Sequence, residues 1–132
     1  MKKRRPLLGQ LRRSRFAGIK KGALKFNGER IGAATRQQRK QADNEEWETY
    51  EISARLYKTT GGKYVAGVEV YNRTDERYAS RDGAASDSLE SLVKKIKDRM
   101  PYSPAFTWMD DDILGELFEK TEIADQFVEH ID

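Results

Sequence analysis

The chain has 132 residues, 25 Lys/Arg, 22 Asp/Glu and no cysteine. That length fits one domain better than two, and a chain of this size buries roughly two thirds of the surface its unfolded form exposes, so its core needs no metal or disulfide. Without cysteine, disulfides, thiolate zinc sites, iron–sulfur clusters and cysteine nucleophiles are all excluded.

The net charge of +3 conceals a large asymmetry. Residues 1–41 hold 14 Lys/Arg and one acid, Glu29, a net +13. Residues 42–132 carry a net −10, and within them nine acids of 101–132 face one cation, Lys120. Such a division speaks to partners and association rather than to fold. No stretch approaches the roughly 20 apolar residues that span a bilayer. The Lys2–Arg5 run is followed by no apolar segment, so neither a secretory signal nor a membrane partner is expected, and the cytoplasm is the default location.

Residues 1–21 have no sustained apolar period, are punctuated by Pro6, Gly9 and Gly18, and are dominated by basic side chains. Such a segment buries too little apolar area to offset its ordering entropy. It is expected to be a flexible basic N-terminal arm. Residues 22–132 are expected to form a single α+β domain, with a sheet over 23–81 and helices over 88–100 and 108–131.

Leu24-Lys-Phe26, Asn27-Gly28 and Glu29-Arg-Ile31 predict a hairpin, because Asn-Gly takes the positive φ angles of a type I′ turn. In that register Leu24 faces Ile31 and Phe26 faces Glu29. Thr35 to Asn44 is polar and basic, and reads as a loop or a short exposed helix. From Trp47 the period becomes two: Tyr50, Ile52, Ala54 and Leu56 alternate with Glu51, Ser53, Arg55 and Tyr57, as in a half-buried strand. A turn at Thr59–Gly62, a strand from Tyr64 to Tyr71, a turn at 72–75 and a short strand from Arg77 to Ser80 complete an antiparallel meander of about four or five strands. Asp82-Gly83 through Asp87 reads as a loop.

Leu89, Leu92, Val93, Ile96 and Met100 then form an amphipathic stripe. Asp87 with Glu90 resembles a capping box, and Pro101 stops the helix. Thr107 to Asp110 supplies N-cap chemistry for a further helix with Ile113, Leu114, Leu117 and Phe118 on its apolar face. A last turn around 122–130 carries Ile123, Phe127 and Ile131. Two or three C-terminal helices should thus pack on one face of the sheet. Leu24, Ile52, Leu56, Val68, Val70, Leu92, Ile96, Leu117 and Phe118 are the expected core.

The arm carries the chemistry most open to a reading. Lys2, Lys3, Arg4, Arg5, Arg12, Arg13, Arg15, Lys20 and Lys21 form three clusters suited to a row of phosphates. Phe16 among them could stack on an unpaired base. Arg36, Arg39 and Lys40 extend the charge, with Arg36 and Lys40 on one face if the segment is helical. Tyr57 and Tyr71, on the outer sheet face beside Arg55 and Val65, could form a stacking platform, although aromatics also favour cross-strand pairs for structural reasons.

Other motifs are weak. Asp110-Asp111-Asp112 could attract a hard cation, but consecutive helical carboxylates diverge by about 100° and the macrodipole already favours acids at a helix start. His130 is the one histidine and lies beside the C-terminus. Gly61-Gly62-Lys63 lacks the spacing of a phosphate loop. The Leu24–Gly32 and Tyr57–Val65 segments have the look of small bacterial accessory proteins, but no catalytic motif accompanies that likeness and no function is carried across.

The first expectation is therefore a non-enzymatic accessory protein that binds DNA or RNA through the arm. The second is a protein-interaction or inhibitor module that uses the acidic C-terminal helices or a sheet edge. The third is a hydrolase or nuclease built on Asp/Glu and Lys, which would bind a divalent metal through Asp110, Asp111 and Asp112. No cofactor, metal or small-molecule substrate is expected.

Overall fold

The computed structural model describes the backbone at residues 12–13 and the full chain over residues 26–127. Leu24, the remainder of the arm, His130 and Ile131 lie outside the described residues. Among the described residues, five strands form one antiparallel sheet in sequence order: β1 (Arg12–Arg13), β2 (Asn27–Gln41), β3 (Trp47–Thr59), β4 (Tyr64–Asn72) and β5 (Arg77–Ser86). Two helices follow, α1 (Leu89–Arg99) and α2 (Asp111–Leu117), with 3₁₀ turns at Phe106–Trp108 and Ala124–Phe127. The α+β meander with C-terminal helices read from the sequence is the fold observed.

Strand alternation decides what each face meets. Ala34, Ile52, Ala54, Leu56, Ala66, Val68, Val70 and Ala84 point to one face. There they meet Leu89, Leu92, Val93 and Ile96 of α1 and Ile113, Leu114 and Leu117 of α2. Helix α1 lies over β4 and β5, and α2 over β2 and β3. Phe106, Phe118 and Ile123 fill the space between these elements. Every expected core residue that is described is buried here.

The long strand β2 overturns two expectations. Asn27-Gly28 is not a turn: both residues are in β2, paired to Arg13 and Arg12 on one side, with Gly28 paired to Thr59 on the other. Neither has a positive φ. Pairing on both edges overrides the local turn preference. The polar stretch after Thr35 is likewise strand as far as Gln41, paired residue by residue with β3. Its polar side chains tolerate this because only Ala34 and its neighbours reach the apolar layer.

The turns use specific chemistry. Between β3 and β4, Gly62 takes φ +87°, and the Thr59 carbonyl accepts from the Gly62 N–H at 3.0 Å. Between β2 and β3 the left-handed residue is Glu45 at φ +68°. Between β4 and β5 it is Glu76 at φ +58°, and Asn72 Oδ1 accepts from the N–H groups of Thr74 and Asp75. Strand β5 continues to Ser86, so Asp82-Gly83 is not a loop. The Asp82 carboxylate accepts from both Arg99 Nη2 and Ser103 Oγ, tying β5 to the end of α1 and to the segment after it. Helix α1 is capped by Ser88, whose hydroxyl accepts from the Ser91 N–H, rather than by the expected Asp87. Asp110 caps α2 in the same manner, through the Ile113 N–H.

Candidate functional site

The basic residues singled out in the sequence fall in three places. Lys2, Lys3, Arg4, Arg5, Arg15, Lys20 and Lys21 lie outside the described residues. Arg12 and Arg13 form β1 and pair with the start of β2. Arg36, Arg39 and Lys40 lie near the far end of β2, and its alternation divides them between faces. Arg36 and Lys40 share the helix-covered face, because a spacing of four keeps two residues together in a strand as it would in a helix. Arg39 points to the opposite, outer face. Arg36 and Lys40 thus share a face as expected, but on a strand rather than on a helix.

Arg36 is occupied by the acidic helix. Its Nη2 is 2.7 Å from Asp112 Oδ2 and its Nη1 is 2.6 Å from Glu116 Oε1. Hydrogen bonds to these two carboxylates raise its pKa further above the ordinary arginine value. Lys40 sits with its Nζ 5.3 Å from the Trp108 ring centroid, and that ring packs on Tyr50 at 4.8 Å. These two cations hold helix-side elements onto β2.

The outer face is built differently. Arg39 lies over the Trp47 ring with Cζ 5.1 Å from its centroid. Arg73, in the turn after β4, pairs with Glu51 of β3 at 3.2 Å. Tyr71 and Tyr78 meet edge to face at 5.0 Å across β4 and β5. The Arg81 guanidinium stacks on Tyr78 at 3.8 Å. Glu69, only 4% exposed, lies between Arg55 at 3.2 Å and Arg81 at 3.4 Å. The Arg81 Nε is within ion-pair reach of that carboxylate, yet it is buried with no hydrogen-bond partner. Four guanidinium groups (Arg39, Arg55, Arg73 and Arg81) thus share a face with two carboxylates, Glu51 and Glu69. Trp47 at 53% and Tyr78 at 45% are among the most exposed large rings.

Of the two tyrosines expected on this face, Tyr71 belongs to the ladder just described. Tyr57 points the same way but is 5% exposed, covered in a small cluster with Val65, Phe26 and Ala85. Trp47, Arg73, Tyr78 and Arg81 were not singled out by the sequence. Extending the alternation of β3 and β4 into β5 was the signal that would have found them.

The carboxylates at the start of α2 have structural partners. Asp110 caps the helix, Asp112 holds Arg36, and Asp111 is 4.0 Å from Lys97. No group of three or more potential metal ligands occurs among the described residues. An open cleft of about 520 Å³ lies beside α2, bordered by Arg36, Asp111, Glu116, Glu119 and Phe127. No helix of the described residues is long and apolar enough to cross a membrane. No family model, curated protein or solved structure matches the chain.

Proposed function

We propose that this protein is an accessory factor that binds nucleic acid, with its basic N-terminal segment on the phosphates. The observation that carries the reading is the charge division: residues 1–41 hold a net +13 while the rest of the chain is net −10. A cationic segment of this density suits a polyanion, because each phosphate neutralised releases condensed counterions. The guanidinium-rich outer face of the sheet supports the same reading. Lys2, Lys3, Arg4, Arg5, Arg12, Arg13, Arg15, Lys20 and Lys21 are proposed as phosphate contacts. Arg39 joins them from the outer face. Arg36 and Lys40, turned to the helix side, contribute less.

The test is binding of labelled single- and double-stranded DNA and RNA across a range of salt. The full chain is compared with a variant in which the nine arm cations are changed to Gln. The expected result is affinity that falls steeply with salt, with a logarithmic slope near −0.7 to −0.9 per phosphate contact. The variant should lose most of that slope. Absence of binding at low salt would sink the reading.

A second reading is a protein-interaction or inhibitor module that uses the acidic C-terminal helices. The open cleft beside α2, with Asp111 and Glu119 on its border, favours it. It predicts capture of a basic protein partner that survives neutralisation of the arm.

A further inference from the structure

We propose that the outer face of the sheet docks single-stranded nucleic acid by stacking unpaired bases on Trp47 and Tyr78. This inference rests on the proposed function and adds a base-contacting surface to the phosphate-contacting arm. Three features of the face support it. Its two exposed rings each carry a guanidinium, Arg39 at 5.1 Å from Trp47 and Arg81 at 3.8 Å from Tyr78. A part-exposed ring beside a cation suits a nucleotide, whose base stacks in place of the guanidinium it displaces from the ring and whose phosphate takes the charge. The face also carries more guanidinium groups than carboxylates, which complements a polyanion, whereas α2 begins with three consecutive aspartates. A nucleic acid strand is therefore attracted to the sheet side and repelled from the α2 side.

The spacing selects a single strand. Tyr78 pairs with Tyr71, which pairs with Glu51, and Glu51 is four residues from Trp47 along β3. Two strand spacings and four residue rises separate the backbone positions that carry the rings by about 16 Å. Bases in a duplex lie about 3.4 Å apart with their faces closed inside the stack. Only a strand with splayed bases can lay one on each ring. Arg73, in the turn just after β4, has Nη1 3.2 Å from Glu51, and can exchange that carboxylate for a phosphate.

The experiment uses the full chain with labelled oligodeoxythymidine, oligouridine and a mixed-sequence duplex. Trp47→Ala and Tyr78→Ala should each weaken single-strand binding by about tenfold or more, as expected for loss of a base stack. Duplex binding should stay within about twofold of the parent. Trp47→Phe and Tyr78→Phe, which keep a ring, should retain most of the affinity. Arg39→Glu, at an exposed position outside the core packing, should weaken the single strand as well. It tests the face even if Tyr78→Ala fails to fold. The relative affinities for the two oligonucleotides tell DNA from RNA. Salt-dependent binding by the parent that the Trp47, Tyr78 and Arg39 variants leave unchanged would overturn this inference while leaving the arm reading intact. No binding of any nucleic acid by the parent would overturn both.

Discussion

Gly32 stands where β2 passes beneath the end of α2. The pairing of β2 with β3 is irregular between Arg30 and Gly32, and a methyl group on Gly32 would overlap the Leu117 carbonyl oxygen. The carbonyl is backbone and the methyl position is fixed by the backbone, so the clash cannot be relieved by rotating a side chain. Gly32→Ala is expected to cost about 1–3 kcal/mol, as overpacking does. A lower urea midpoint at unchanged slope would register it. Tyr50 gives a different residue-scale test. Its hydroxyl donates to Glu48 Oε1 at 2.8 Å, and this bond, aided by burial and by the nearby negative charge, raises the Tyr50 pKa above its ordinary value. A raised folded-state pKa means that the contribution to stability is present below the unfolded value. It is lost as pH rises through the folded one. The stability difference between the parent and Tyr50→Phe should therefore be constant at neutral pH and shrink above about pH 10, followed by denaturant melts.

At the scale of elements, Arg36 links strand to helix. Its partners Asp112 and Glu116 sit on α2, the first largely open to water and the second partly so, and screening limits the energy of the cluster. Arg36→Ala should cost about 1 kcal/mol or less, and the loss should fade in high salt, read by thermal melts at two ionic strengths. A phosphate-contacting arginine would instead leave stability unchanged and weaken nucleic-acid binding.

Elements with one buried face were legible in the sequence. The alternation of β3 and β4 and the stripe of α1 each reflect a layer of apolar neighbours, and each was located within a few residues. Strand β2 was not legible beyond Ala34, because its partner is the backbone of β3 and its side chains meet water, an acidic helix or the Trp108 ring. Asp82-Gly83 misled for a related reason. The carboxylate that looks like loop chemistry is satisfied by Arg99 and Ser103, 17 and 21 positions away. The candidate site divides in the same way. The charge of the arm can be counted directly. The Trp47–Arg39 and Tyr78–Arg81 pairs follow only from a register that places polar segments in strands.

For the molecule as a whole, the sheet places strands next to their sequence neighbours, while α2 returns to the first long strand. Arg36 and Asp112 are 76 positions apart. During synthesis, β2 and β3 are finished about fifty residues before α2. At cellular elongation rates that interval is about three to ten seconds. Throughout it Ile52, Ala54 and Leu56 lack the α2 side chains that complete their cover, on paired strands that could recruit another copy. The nascent chain is thus most open to aggregation, and most in need of a chaperone, after the sheet has formed and before the last helix leaves the ribosome.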